Sequence, residues 1–345
     1  MNQKPIVILA PAPQQRDRIF TPEALRRLHD RFSVVDMEAT PGAEVFDAAL
    51  PGAVAIIGQP DLDAERIAQA SHLRAIFNVE GNFFPNIDYA AAFARGIRVL
   101  GCGPAYSQAV AEFSLGLALD VARGISREDR AARTGTERYV AEGNHGARLL
   151  RHSDVGLIGF GNLGRALHRL LVPFAPRLRV YDPWLPAGVL RELDVEPCDL
   201  DELLRASTFV FMLATVTGES QHLLNAQRLS LLPDGARLVL VSRAPVVDYD
   251  ALLSELHSGR LHAGIDVWPQ EPIAADDPFR GVENVVISGH RAGGIREAFE
   301  LIGDMVLDDL ELVAAGLPPV RMQAAAPELV TRYRNRPVSG QESRT

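Results

Sequence analysis

Three ionisable side chains in the second half of the chain each come shortly after a short apolar run. They are Arg243, Glu271 and His290. An arginine can hold a planar carboxylate through two hydrogen bonds, and a histidine can take or give a proton near neutral pH. Singly, such residues are more often surface ion pairs or structural groups. If the runs are neighbouring parallel strands, however, their carboxyl ends share the sheet edge where ligands bind. Together, the three residues predict a catalytic site.

A glycine motif precedes these residues and indicates what that site binds. Residues 155–159 form an apolar run, Gly159, Gly161 and Gly164 follow with the spacing G-x-G-x-x-G, and Asp182 ends the next apolar run. Strand, glycine turn, helix and a second strand ending in an acid form the Rossmann dinucleotide-binding pattern. The N-terminus of the helix would hold a pyrophosphate. Because a carboxylate at Asp182 would bind ribose hydroxyls and repel a 2'-phosphate, we expect NAD in preference to NADP.

Short apolar runs and amphipathic segments alternate on both sides of this motif. Strands are predicted at 6–9, 33–37, 53–57, 73–77 and 97–100, and again at 209–213, 236–241, 262–267 and 285–288. Strands separated by helices indicate parallel sheets covered on both faces. Thr21 and Pro22 open a predicted helix, and Ser107 is expected to cap another. Residues 124–153 show no strand pattern and are predicted to form a helix with a surface loop, or an arm that packs on a second subunit.

The length and composition set the broad class. At 345 residues, the chain suits two domains of about 150 residues each. A net charge of -9 argues against nucleic acid and anionic membranes as partners. The only two cysteines, Cys102 and Cys198, match no metal spacing and favour a reducing compartment. With no secretory signal pattern at the start and no long apolar segment, we expect a cytoplasmic protein.

From residue 53 to residue 316 the sequence resembles the D-isomer-specific 2-hydroxyacid dehydrogenase family. The pieces that carry the resemblance are PNIDY (85–89), RGIRV (95–99), AVAEF (109–113), VGLIGFGNLG (155–164), VLVSR (239–243), GIDVWPQEP (264–272) and ENVVISGH (283–290). The resemblance implies an α/β fold of two doubly wound parallel-sheet domains, a Rossmann NAD-binding domain and a flavodoxin-like substrate domain, with a cleft between them. The substrate domain is expected at 1–105 and 296–330, the NAD-binding domain at 106–295 and a disordered tail at 331–345.

The same resemblance implies roles for individual residues. Arg243 would bind and polarise a small 2-oxo acid, His290 would be the acid/base, and Glu271 would pair with His290. Backbone amides of Gly81, Asn82 and Phe83 would bind the substrate carboxylate. The residues expected to contact the cofactor are Gly159, Gly161, Asn162, Leu163, Gly164, Asp182, Val241, Ser242, Arg243, Asp266, His290 and Gly293. The expected reaction is hydride transfer between NADH and the 2-oxo acid, in a protein that forms a homodimer.

Some positions depart from the family pattern. Phe83 stands where a second glycine is common, Glu80 places an acid near the expected carboxylate site, and Arg291 replaces an aliphatic residue. The stretch around residues 55–60 has no basic residue for a phosphorylated substrate, and glutamate at 271 argues against formate. Because Phe83 replaces a glycine and Arg243 is followed by Ala-Pro, an alternative function remains open: an NAD(H)-sensing regulatory or corepressor-like protein with little turnover.

Overall fold

The computed structural model describes residues 4–334 as two compact units. Unit 1 comprises the chain up to Tyr106 and from Gly294 onward, and unit 2 runs from Ser107 to Gly293. Each unit is built on one mostly parallel sheet, which confirms the predicted α/β class with two doubly wound domains. No helix in the described part of the chain is both long and apolar enough to cross a membrane.

Strands and helices alternate along nearly the whole described chain. The strands within residues 4–334 are β1 (Ile6–Ala10), β2 (Ser33–Asp36), β3 (Ala53–Gly58), β4 (Ala75–Asn78), β5 (Arg98–Gly101), β6 (Asp154–Ile158), β7 (Arg177–Tyr181), β8 (Glu196–Pro197), β9 (Phe209–Met212), β10 (Arg237–Leu240), β11 (His262–Ile265), β12 (Val285–Ile287) and β13 (Gln323–Ala324). The α-helices of the same part are α1 (Arg16–Ile19), α2 (Pro22–Arg31), α3 (Ala43–Ala49), α4 (Ala64–Gln69), α5 (Tyr89–Ala94), α6 (Gly103–Arg123), α7 (Ile125–Thr134), α8 (Asn162–Leu171), α9 (Ala187–Arg191), α10 (Leu200–Ala206), α11 (Ala226–Leu229), α12 (Tyr249–His257), α13 (Arg296–Ala314) and α14 (Pro327–Val330).

The sheet of unit 1 has the order β13-β5-β4-β3-β1-β2, in which β13 is antiparallel to β5. Strands β1 to β5 therefore follow the flavodoxin-like order 2-1-3-4-5. Val7 and Leu9 of β1 pack into one hydrophobic core, whereas Ile8 packs into another. Because successive side chains of a strand point to opposite faces, the two cores lie on the two sides of the sheet.

The sheet of unit 2 has the order β12-β11-β10-β9-β6-β7-β8. Read from β8, this is the doubly wound order 3-2-1-4-5-6 with one further parallel strand. Its order reverses between β6 and β9, and Leu157 and Ile158 of β6 pack into separate cores. The sequence pattern did not predict β8 or β13, because each has only two residues and so shows no periodicity.

Two predicted helix starts have different outcomes. Thr21 caps α2 as predicted, with its hydroxyl accepting a hydrogen bond from Ala24 N at 3.1 Å. The predicted cap at Ser107 is wrong, because α6 already begins at Gly103. Gly103 and Pro104 have the composition of a turn, yet proline is compatible with a first helical turn, where its missing N–H is not needed.

The predicted disordered tail contains, near its beginning, an aromatic residue that packs on a core of unit 1, and the disorder of the tail stays a prediction. Tyr333 is half-buried, and its ring stacks on that of Phe83 with centroids 6.0 Å apart. Burial also raises the pKa of the Tyr333 hydroxyl. The segment is polar in composition, but the aromatic ring of Tyr333 provides apolar surface that packs on Phe83. Residues 335–345 lie outside the described residues.

Candidate active site

The glycine turn after β6 is held in a conformation that larger residues would not permit. Gly159 has φ +96°, and a Cβ there would lie 2.9 Å from the backbone N and Cα of Ala214, just after β9. A Cβ on Gly164 would lie 2.6 Å from the carbonyl oxygen of Gly159. The close approach of turn, neighbouring strand end and helix therefore depends on these glycines.

Helix α8 begins at Asn162, and its N-terminus fits the pyrophosphate of a dinucleotide. Gly161 and Asn162 are exposed, and a Cβ on Gly161 would meet no atom within 4 Å. The first amides of a helix carry a partial positive charge and lack partners within the helix. Leu163, the other residue expected beside the pyrophosphate, packs partly against the core of unit 2.

The acid at the end of β7 lies against the same turn. Asp182 Oδ2 accepts a hydrogen bond from Phe160 N at 2.7 Å, and its Oδ1 accepts one from Trp184 N at 2.9 Å. These two bonds fix the carboxylate beside the glycine turn. A carboxylate oxygen has two lone pairs, so each oxygen can still accept from a ribose hydroxyl.

The end of β10 carries the next predicted cofactor residues. Val241 and Ser242 are buried, and Ser242 Oγ has no hydrogen-bond partner within residues 4–334. A buried hydroxyl without a partner is unfavourable unless a ligand or a water molecule forms a hydrogen bond with it. Arg243 follows, half-buried, and its Nη1 donates to Ser242 O at 2.7 Å. With the glycine turn, these residues fit an NAD molecule bound along the edge of this sheet.

The structure brings the three predicted catalytic residues together in unit 2. His290 Nδ1 and Glu271 Oε2 are 2.7 Å apart, and the two side chains are 25% and 21% exposed. Burial raises the pKa of Glu271, but hydrogen bonds from His290 and Trp268 N, together with the charge of Arg243, outweigh it and lower the pKa below its ordinary value. Glu271 is therefore an ionised acceptor at neutral pH, and the Nε2 nitrogen of His290 is left to exchange a proton.

The backbone at His290 is held in the left-handed region. His290 has φ +49°, a conformation that few non-glycine residues adopt. Its N–H donates to Asp266 O at 2.7 Å. The Asp266 carboxylate is fully buried and accepts from Arg291 N and Ala292 N, each at 3.0 Å. Asp266 thus fixes the turn that presents His290; its expected contact with the nicotinamide stays a prediction.

Trp268 is a positioning residue that the sequence motifs did not identify. Its backbone N–H donates to Glu271 Oε1 at 3.0 Å, and its indole Nε1 donates to Ser288 O at 2.7 Å. Trp268 therefore joins the segment that carries Glu271 to the strand end that precedes His290. The signal available in the sequence was a large aromatic residue just after a predicted strand, three positions before the glutamate.

The predicted carboxylate-binding turn lies after β4 in unit 1. Buried Asn78 orders it, donating through Nδ2 to Asn82 O at 3.0 Å and accepting from Glu80 N at 2.8 Å. The Phe83 side chain is buried in the core of unit 1, and its ring would lie 3.1 Å from a Cβ on Gly101. Phe83 can therefore serve a substrate only through its backbone, and that role, like those of Gly81 and Asn82, stays a prediction.

Fold and site together define a class of protein. A doubly wound sheet carries a glycine turn at the point where its strand order reverses, and an arginine, a glutamate and a histidine follow its later strands. This arrangement defines an α/β oxidoreductase that uses a dinucleotide.

Comparison with known proteins gives the family. The sequence model of the D-isomer specific 2-hydroxyacid dehydrogenase, NAD binding domain, matches residues 115–292. A glyoxylate reductase of Korarchaeum cryptofilum is 32% identical over 77% of this chain and 80% of its own. A hydroxypyruvate reductase of Thermotoga maritima is 33% identical over 63% of this chain and 70% of its own.

A solved structure, described as a phosphoglycerate oxidoreductase from Rhizobium etli, is 44% identical with a TM-score of 0.86, covering 94% of this chain and 99% of its own. The chain belongs to the D-isomer-specific 2-hydroxyacid dehydrogenases, a family of NAD-dependent oxidoreductases. The family resemblance expected from the sequence motifs is thereby confirmed.

Proposed function

We propose that the protein interconverts a small, unphosphorylated 2-oxo acid and its D-2-hydroxy acid. The observation that carries this proposal is the 2.7 Å hydrogen bond between His290 and Glu271, with the charge of Arg243 acting on the same carboxylate. A proton donor, an ionised partner and a fixed cation are the groups that reduction of a 2-oxo acid requires.

Each residue has a distinct part in the proposed reaction. NADH, when bound, supplies the hydride that reduces C2 of the substrate. Arg243 holds the substrate and polarises its C2 carbonyl, because a guanidinium keeps its charge and donates two parallel hydrogen bonds. His290 delivers a proton from Nε2 to the C2 oxygen, and in the reverse direction it takes that proton back. Glu271 orients the imidazole through Nδ1 and balances the charge of its protonated form.

The cofactor proposal rests on the turn after β6. Gly159, Gly161 and Gly164 shape the turn, the amides of Asn162 and Leu163 would bind the pyrophosphate, and Asp182 would bind the ribose. Val241, Ser242, Arg243, Asp266, His290 and Gly293 would line the rest of the cofactor. The carboxylate of Asp182, held by two backbone amides, supports NAD in preference to NADP.

His290→Asn is the most informative test of the proposed site. Asparagine tolerates the left-handed backbone at this position better than alanine does, so the turn should persist. We expect kcat to fall by about 10²–10⁴-fold, the usual contribution of general acid–base catalysis. NADH affinity, measured by fluorescence titration, should change little. Glu271→Gln leaves one oxygen where Glu271 uses two, for His290 and for Trp268 N, but keeps His290 itself, so it should reduce kcat less.

The substrate panel for this test contains glyoxylate, hydroxypyruvate, pyruvate and branched and aromatic 2-oxo acids. Turnover by His290→Asn at the wild-type rate would remove His290 from the mechanism. If the wild-type protein bound NADH tightly and reduced no member of the panel, the NAD(H)-sensing alternative would replace the enzymatic proposal.

We further propose that two copies associate through the arm formed by residues 124–153. Four large apolar side chains of this arm are exposed: Ile125 at 58%, Tyr139 at 75%, Val140 at 84% and Leu149 at 70%. Buried Arg237 anchors the arm by donating to Gly146 O. An apolar surface on an anchored segment is typical of an interface, and a second copy is the partner always present.

Neither cysteine is in a disulfide, which supports the proposed cytoplasmic location.

A further inference from the structure

Three polar side chains meet at the carboxyl ends of neighbouring strands in unit 1. Gln14 follows β1, Gln59 follows β3 and Glu80 follows β4; we call them the edge cluster. Gln14 Nε2 donates to Glu80 Oε1 at 2.7 Å, and Gln59 Oε1 accepts from Val79 N at 3.2 Å. The three side chains are therefore joined through residues 79 and 80, and all three are partly exposed.

The edge cluster lies where the strand order of unit 1 reverses. β1 is paired on one side with β2 and on the other with β3. Ligands of doubly wound sheets bind outside the carboxyl ends of the strands at such a reversal. Gly58 brings the two strand ends together, because it has φ +127° and its missing Cβ would lie 1.7 Å from Ala10 O.

Two amide atoms of the edge cluster lack hydrogen-bond partners. Gln14 Oε1 and Gln59 Nε2 are both buried, and neither has a partner within residues 4–334. The bonds to Glu80 and Val79 assign the nitrogen and the oxygen of each amide. Gln14 therefore has a free acceptor, and Gln59 has a free donor. A buried donor and acceptor without partners require an explanation, and a ligand group that both donates and accepts supplies one.

The charges near the edge cluster disfavour an anionic ligand group beside Glu80. Arg16, the first residue of α1, is paired with Asp17 at 2.7 Å and with Asp36 at 2.6 Å. Glu38 accepts from the backbone N–H of Arg16, so acids outnumber bases in this region. A phosphate or second carboxylate beside Glu80 would meet like charge.

We propose that the edge cluster selects 2-oxo acids whose side chain carries a hydroxyl group, an inference that rests on the proposed function. A hydroxyl donates one hydrogen bond and accepts others, so it can donate to Glu80 or Gln14 and accept from Gln59. An ammonium group only donates and would leave Gln59 Nε2 without a partner. A methyl group would satisfy none of the three residues.

Hydroxypyruvate and pyruvate differ by this one hydroxyl and form the natural test pair. For the wild-type protein we expect kcat/KM for hydroxypyruvate to exceed that for pyruvate about 100-fold or more. Gln59→Glu keeps the acceptor for Val79 N, replaces the Nε2 donor with a second acceptor and adds a negative charge. Glu80→Gln keeps the shape and removes the charge. Each variant should lower the hydroxypyruvate-to-pyruvate ratio about 10- to 100-fold.

The matched control is Asp61→Asn, an exposed acid in the loop after β3, and it should keep the wild-type ratio. Thermal unfolding and NADH titration of every variant separate a specific change of preference from a loss of folding. The substrate set also includes 3-phosphohydroxypyruvate and 2-oxo-5-guanidinovalerate. A preference of the wild-type protein for either charged substrate over hydroxypyruvate would overturn the inference.

The outcomes distinguish this inference from the proposed function. Equal kcat/KM values for hydroxypyruvate and pyruvate, unchanged in both cluster variants, would refute the role of the edge cluster while leaving the enzyme a 2-oxo acid reductase. Absence of turnover with every 2-oxo acid, in a folded protein that binds NADH, would instead refute the proposed function.

Discussion

His290 combines a strained backbone with a side chain that has a fixed partner. Its φ of +49° is maintained by the hydrogen bond from its N–H to Asp266 O and by two further amides bound to the Asp266 carboxylate. Backbone strain of this kind persists only where surrounding contacts determine it, and it concentrates at functional sites. The strain therefore supports a functional role for His290, which the hydrogen bond between His290 and Glu271 also indicates.

The proposed preference for NAD over NADP depends on one residue, Asp182. Asp182→Asn removes the charge that would repel a 2'-phosphate, so the preference for NADH over NADPH, measured as a ratio of kcat/KM, should fall about tenfold. Both KM values should rise, because asparagine offers one oxygen where Asp182 uses two for backbone amides. Glu196→Gln, an acid on β8 that is 59% exposed, is the control. An unchanged ratio in Asp182→Asn would contradict the assignment.

Among the elements, strand ends do most to place functional groups. Arg243 follows β10, Glu271 follows β11 and His290 follows β12, and these strands are consecutive neighbours in the sheet of unit 2. Parallel pairing brings groups that lie 28 and 19 residues apart in sequence to one edge. The edge cluster of unit 1 is placed by the same rule, from β1, β3 and β4.

The first strand pair of unit 2 should make stability depend on pH. Asp154 and Arg177 are register partners in β6 and β7, and Asp154 also pairs with Arg179 at 3.0 Å. The hydrogen bond from Arg177, followed by that from Arg179, outweighs burial and lowers the pKa of Asp154 to about 2. Because this pKa lies below the unfolded value, the stabilisation is complete above about pH 4 and is lost as the pH falls through about 2.

Asp154→Asn should therefore reduce the free energy of unfolding at pH 6 by about 1 kcal/mol, since the largely exposed Arg177 limits the gain. The difference from the wild-type protein should shrink toward pH 2 in urea titrations. Asp234→Asn, at a side chain that is 89% exposed, should match the wild-type protein at both pH values. A deficit in Asp154→Asn that is the same at pH 6 and pH 2 would rule out this linkage.

In the molecule as a whole, the two units contain different sets of proposed binding residues. Unit 2 contains the glycine turn, Asp182 and the Arg243–Glu271–His290 set, and unit 1 contains the edge cluster and the turn after β4. The two sheets share the doubly wound plan but differ in strand order. Accordingly, we expect variants in unit 2 to change cofactor use and turnover, and variants in unit 1 to change substrate choice.

The proposed dimer can be tested directly by a substitution in the arm. Val140→Asp places a charge on the proposed arm interface and should convert the dimer into a monomer in light scattering after size exclusion. Val140 has φ +55°, which aspartate tolerates better than valine, so the substitution should not disturb the arm's backbone. Val320→Asp, a 73% exposed position in unit 1, should remain dimeric. A wild-type monomer at micromolar concentration would refute the arm interface.

Local sequence patterns were enough to predict several features of this protein. Alternating apolar runs specified the α/β class, the glycine spacing specified the turn before α8, and Thr21 with Pro22 specified the start of α2. These features are readable because their physical causes, periodicity and turn chemistry, act within a few neighbouring residues. The positions of Arg243, Glu271 and His290 were also readable, because strand ends can be located from such runs.

Contacts between distant segments became visible only in the three-dimensional fold. It showed Asp266 fixing the turn at His290, Trp268 joining Glu271 to the strand before His290, and Phe83 buried in the core of unit 1. It also joined Gln14, Gln59 and Glu80, which lie 66 positions apart at their extremes. Such groupings follow from strand order and register, and no single segment carries that information in its own sequence.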